Sequence, residues 1–223
     1  MDANIETVES VASLRIADAL RRAIIAGEFA PGERMRQEVI AEQFGSSRLP
    51  VREALRILQS DGLVSIVANS GAWVSKLDAK ECSESYEIRE RIEPLLLRES
   101  MPELSADDVA VMRGLAEQMH DGADVETFLR LDREFHLMSY AKAETVLLSS
   151  LVERLWNTTQ HYRRAFTVLA WARATSRDVV HYEHFLLVEA IERGDAEDAQ
   201  RVLAGHIRRT RLELSQHPEI FTT

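Results

Sequence analysis

One aspartate and three histidines fall on otherwise apolar helical faces of this chain, and together they have the chemistry of a metal site. In "ADVETFLRLDREFHLMSYAK" the apolar positions Val125, Phe128 and Leu129 continue into Asp132 and His136. That pair is four residues apart, so on a helix one stands a turn above the other and both face inward. In "SRDVVHYEHFLLVEAIERG" His184 shares a stripe with Val180, Leu187, Val188 and Ile191, although His181, three residues earlier, competes for the same face. In "DAEDAQRVLAGHIRRTRLELSQ" His206 follows Ala199, Val202 and Leu203 and precedes Thr210. A buried carboxylate is costly unless it is paired with a cation or bound to a metal. One carboxylate and three imidazoles converging from three helices are a ligand set for a divalent transition metal, zinc first and nickel or manganese next, with positions open to water or to the carboxylate of a ligand. His120, His161 and His217 are less well placed, though His161 can line the same cavity.

Two other readings of the same residues stay open. Asp132 can pair with a neighbouring arginine while the histidines make hydrogen bonds, which gives a metal-free polar core. Alternatively, a metal with open positions can activate water, as in a metal-dependent hydrolase. No further carboxylate is placed as a general base, so no residue is assigned as catalytic and no enzyme is expected.

A second feature is a narrow positive strip in "FGSSRLPVREALRILQSDGLV". Arg48, Arg52 and Arg56 recur every four residues, beside a separate apolar stripe of Val51, Ala54, Leu55 and Leu58. The planar fork of an arginine pairs bidentately with guanine in the DNA major groove. Ser46, Ser47 and the backbone N–H groups at the helix start can hold phosphates.

The elements that carry these residues follow from period and punctuation. "ASLRIADALRRAIIAGEFAPG" repeats Leu14, Ala17, Leu20, Ile24 and Ile25 as a helical stripe stopped by Gly27 and Pro31-Gly32. "RQEVIAEQFG" gives a second short helix with Val39, Ile40 and Phe44 apolar and Gly45 at its end. Pro50 suits the first turn of the third helix, and Gly62 ends it. Two short β-branched runs around "ANSG" then read as a hairpin whose tip, Gly71, lets backbone approach a duplex closely. Two helices on a tight turn followed by a hairpin predict a winged helix-turn-helix over residues 1–76. From residue 79 to 217 six helical segments with short connections predict an antiparallel six- to seven-helix bundle, with Ser105 as one N-cap and Pro94 inside the first segment. The fold class is therefore mainly α.

Charge and composition agree with this division. The net charge is −10, but residues 1–76 hold nine Lys+Arg against ten Asp+Glu while the remainder holds 18 against 27. With 45 % hydrophobic residues, no apolar run near the ~18 needed to cross a bilayer, and a polar, acidic start, a cytoplasmic protein without membrane contact is expected. A single cysteine, Cys82, rules out an internal disulfide and fits a reducing compartment.

"PGERM", "IAEQFGSSRLPVREALRILQSDGLV" and "NSGAWV" resemble the GntR-type bacterial transcription regulators. The resemblance implies DNA-contacting or contact-shaping roles for Arg34, Ser47, Arg48, Pro50, Arg52 and Gly71. Ser46 stands where such regulators usually carry valine, and Gln37 where many carry glutamate. "LDREFH", "YEHFLLVEAIERGD" and "LAGHI" resemble the FCD effector domain of the FadR subgroup. Its metal-binding branch implies Asp132, His136, His184 and His206 as ligands, and it is this resemblance that selects His184 over His181. The resemblance also implies a small carboxylate metabolite as effector, with Arg89 near it and Asn157 and Tyr162 as further pocket residues. A homodimer binding a pseudo-palindromic double-stranded DNA operator, with residues 74–78 as the transmitting linker, completes the expectation.

Overall fold

The computed structural model describes residues 2–68, 70–171 and 177–221. Asn69 of the hairpin tip and Ser176, the expected start of one bundle helix, lie outside the described residues. The chain divides after Lys76 into two compact units, and residues 156–161 group with the first.

The first unit runs α1 (Asp2–Ile25), β1 (Arg34–Met35), α2 (Gln37–Gln43), α3 (Arg48–Ser60), β2 (Val64–Val67) and β3 (Gly71–Val74). The strands form an antiparallel sheet in the order β1-β3-β2, with Arg34 opposite Trp73 and Val64 opposite Val74. The hairpin is the expected one. Strand β1 was not expected: its two residues are too few to show an alternation, and it exists only because β3 offers it a free edge. Helix α3 buries Val51, Ala54, Leu55 and Leu58 completely, packed against α1. The stripe of α1 buries Ala17, Leu20 and Ile24 as expected and departs from expectation at its start. Leu14 is 57 % exposed, and the buried face is Ser13, Ile16, Ala17, Leu20 and Ile24. In α2, Val39 is likewise exposed while Ile40 and Ala41 are buried. Between α2 and α3, Gly45 takes φ of 57°, Ser46 N–H bonds to Ala41 O and Gly45 N–H to Glu42 O. This glycine-dependent C-cap reverses the chain within four residues and sets the start of α3.

The second unit contains α4 (Ala79–Ser100), α5 (Ala106–His120), α6 (Val125–Tyr140), most of α7 (Val146–Trp171), α8 (Arg177–Glu192) and α9 (Ala196–Ser215). Helix α4 packs on α9, α8 on α9, and α5 on both α6 and α8. Asp78 with Glu81 and Ser105 with Asp108 form reciprocal capping boxes at the starts of α4 and α5. Pro94 lies buried inside α4. No helix among the described residues is long and apolar enough to cross a membrane.

Candidate functional site

The bundle brings the four expected ligands together. Helix α6 carries Asp132 and His136, α8 carries His184 and α9 carries His206. One ligand atom from each lies within 4.8 Å of all the others. Asp132, His136 and His184 are at most 1 % exposed, and the His206 side chain is 11 % exposed. The Oδ1 atom of Asp132 is 3.1 Å from His184 Nε2 and 3.8 Å from His136 Nε2. The three imidazole rings form a near-equilateral triangle, with centroids 5.0–5.4 Å apart. Phe135 stands edge-on to His184 at 4.9 Å and closes one wall. Burial, and then the charges of neighbouring histidines and arginines, hold His136 and His184 well below the usual imidazole range. Both are therefore neutral at pH 7, as a metal ligand must be. Three imidazole nitrogens and one carboxylate at this spacing fit a divalent transition metal.

The outer contacts aim the ligands. His206 Nδ1 lies 3.0 Å from a Glu183 oxygen, so Nδ1–H donates there and the Nε2 lone pair is left for the quartet. Arg209 binds the same Glu183 oxygen. Burial pushes the Glu183 carboxyl up, but the hydrogen bonds from His206 and Arg209 outweigh it and hold the group below its usual range. Glu183→Gln is expected to weaken zinc binding about 10- to 100-fold, measured by competition with a chelating dye, because the amide no longer fixes the tautomer of His206. His181 is buried but stands apart, against His120 and Phe128 at 5.7–5.8 Å between ring centroids.

Sequence reasoning missed Arg163. Its guanidinium binds Asp132 Oδ2, and it is buried on α7. The available signal was a polar stripe at helical spacing, Asn157, Gln160, Arg163 and Thr167, all buried on that helix. Burial pushes the Arg163 guanidinium down to about 10. Arg89 is also buried, 2.5 Å from Glu93 and stacked over the Tyr86 ring at 4.8 Å. The other Glu93 oxygen accepts the Tyr140 hydroxyl at 2.7 Å. Glu93 and Glu183 were missed too. Asn157 donates its side-chain amide to the backbone carbonyl of Asp61 at 2.9 Å, and the Tyr162 hydroxyl is held by the backbone of Leu77.

The positive strip of α3 is solvent-facing. The side chains of Arg48, Arg52 and Arg56 are 70 %, 54 % and 61 % exposed. Each is within 3.5 Å of an exposed glutamate, Glu38 or Glu53. Such surface pairs contribute little and yield readily to a phosphate or base. Pro50 sits in the first turn of α3, and Ser47 occupies its N-cap position with no side-chain cap bond. Arg34 reaches across β3 to donate to Ser70 O at 3.1 Å, beside Trp73. Gly71 takes φ of 136°, which only glycine adopts without strain, and a Cβ there would meet Arg34 and Trp73 at 3.5–3.6 Å. Arg52, Arg56, Gln37, Ser70 and Gly71 line one concave face of this unit.

Residues 12–74 match the bacterial regulatory proteins of the gntR family, and residues 84–209 match the FCD domain. The chain belongs to the GntR family and carries an FCD domain. Similar proteins include the HTH-type transcriptional regulator YdhC of Bacillus subtilis, 28 % identical over 86 % of each chain. Another, described as "Probable D-xylose utilization operon transcriptional repressor" of Paenarthrobacter nicotinovorans, is 30 % identical over 90 % of this chain and 87 % of its own. Among solved structures, E. coli McbR/YncC superposes with a TM-score of 0.78 at 25 % identity, over 92 % of this chain and 98 % of that one. These GntR relatives are transcription regulators rather than enzymes, which removes the hydrolase alternative.

Proposed function

We propose that this GntR regulator belongs to the FadR subgroup, binds a pseudo-palindromic operator as a homodimer in the cytoplasm, and senses a small carboxylate metabolite through a metal held in its FCD bundle. The observation that carries the sensing half is the buried quartet of Asp132, His136, His184 and His206, with ligand atoms within 4.8 Å. A bound divalent ion, zinc first and nickel or manganese next, would supply a Lewis-acidic point to which an effector carboxylate attaches. The chain's own residues do the rest. Asp132 supplies the negative charge, Glu183 fixes His206, and Phe135 keeps one side dry. Arg89 is the residue assigned to an acid group of the effector; after burial and the charges of His206 and His184, its charge also lowers the basicity of His136. Asn157 and Tyr162 are left out of this reading because their polar atoms hold backbone groups.

At the DNA, Arg48, Arg52 and Arg56 meet base edges and phosphates, Ser47 and the start of α3 hold a phosphate, and Arg34 with Gly71 lets the hairpin approach the duplex. Effector binding that relieves repression needs a coupling of only about 1–3 kcal/mol, roughly 5- to 150-fold in operator affinity. Arg52→Ala is expected to weaken binding to DNA from upstream of the protein's own gene by about 5- to 150-fold, with the bundle's helical signal unchanged. Fluorescence anisotropy measures this, and unchanged affinity would refute the role given to α3.

A further inference from the structure

We propose that Arg163 is a built-in stand-in for the metal: its guanidinium holds the Asp132 carboxylate when the quartet is empty, and a divalent ion must compete with that charge to bind. The inference rests on the metal reading above and concerns how the site is loaded.

Asp132 has two oxygens and both are committed. Oδ1 faces His184 Nε2 at 3.1 Å and His136 Nε2 at 3.8 Å, toward the centre of the imidazole triangle. Oδ2 is bound by Arg163 Nη2. The aspartate side chain is fully buried and that of Arg163 only 9 % exposed, so neither charge is met by solvent. A buried carboxylate needs a positive or hydrogen-bonding partner, and the guanidinium on Oδ2 is one. The metal-free bundle is therefore stable because Arg163 supplies the positive charge. A divalent ion at the triangle would place two further positive charges beside that guanidinium in a dry site, where like charges repel strongly. The two cations would compete for one carboxylate, the guanidinium at Oδ2 and the ion at Oδ1. Arg163 thus sets a threshold for metal uptake and keeps the empty bundle folded. It acts through Asp132 and is a positioning residue, not a ligand.

The test uses the full chain stripped of metal and titrated with zinc against a chelating dye. Arg163→Gln is expected to bind zinc at least about tenfold more tightly than the unaltered chain, since the competing charge is gone. Its metal-free form should melt at a lower temperature than the unaltered chain, while the zinc-loaded forms should melt together. Arg163→Lys keeps the charge and should bind zinc within about threefold of the unaltered chain, well short of the Gln effect. If Arg163→Gln does not survive stripping, it is purified zinc-loaded and its zinc release to chelator is timed. Slower release than the unaltered chain supports the competition, and equal or faster release overturns it. Equal or weaker zinc affinity in a folded Arg163→Gln also overturns it, while the metal reading stands. An unaltered chain that takes up no zinc, nickel or manganese overturns both.

Discussion

Asp132→Asn is expected to lower zinc affinity by more than the ~100-fold that loss of one supporting hydrogen bond alone can bring. The substitution keeps the size of the side chain and removes its charge. The remaining ligands are three imidazoles, of which His136 and His184 are held neutral by burial, so nothing in the quartet would offset a divalent charge. The same change strikes the metal-free chain. Arg163 loses its carboxylate partner in a buried setting, and breaking such a pair from one side costs about 3–5 kcal/mol. Asp132→Asn should therefore lose both metal and stability. His184→Gln removes a ligand but spares the Asp132–Arg163 pair, so it should lose metal with a smaller loss of stability. Zinc titration and urea unfolding read the two effects separately. An Asp132→Asn chain that binds zinc within about tenfold of the unaltered chain would contradict the assignment of Asp132 as a ligand.

Glu93→Gln is expected to destabilise the second unit by about 3–5 kcal/mol. Glu93 is fully buried in α4 and serves two partners at once, Arg89 at 2.5 Å and the Tyr140 hydroxyl at 2.7 Å. Burial alone would lower the affinity of the Arg89 guanidinium for its proton, but Glu93, through its charge and hydrogen bond, together with Tyr86 and Tyr140, outweighs this and raises it. With glutamine in place, a guanidinium at 3 % side-chain exposure loses its carboxylate. Replacing the pair together, as Arg89→Met with Glu93→Leu, removes both charges and should recover most of the loss, because apolar replacements for a buried pair are often neutral or better. Urea unfolding of the single and double variants measures the difference. A Glu93→Gln chain within about 0.5 kcal/mol of the unaltered one would show that the pair contributes nothing there.

Helix faces with several apolar residues were legible in the sequence, and faces with few were not. The stripe of α3 was read correctly because four large or tightly packed residues recur on one side of it. In α1 the middle of the stripe held but its start did not: Leu14 looked apolar enough to be core, whereas packing on α3 buries Ser13 and Ile16. Asp132 and His136 were found because they interrupt such a stripe four residues apart. His181 and His184 lie about 60° apart on α8 and are both buried, so periodicity could not separate them. Only the neighbours contributed by other helices could, and they put His184 in the quartet. The stripe on α7 marks Arg163 as buried and the i,i+4 spacing could have paired Glu93 with Arg89, but their partners on other helices were beyond reach for the same reason. Asp132 lies 31 residues from Arg163 and Tyr140 lies 47 from Glu93, and nothing local says that those groups meet.

The most direct test is calorimetric titration of the metal-stripped full chain with zinc. About one ion per chain, bound with release of heat and lost in Asp132→Asn, is the predicted result. No uptake of zinc, nickel or manganese would contradict the account and leave the quartet of Asp132, His136, His184 and His206 as a polar core held together by Arg163.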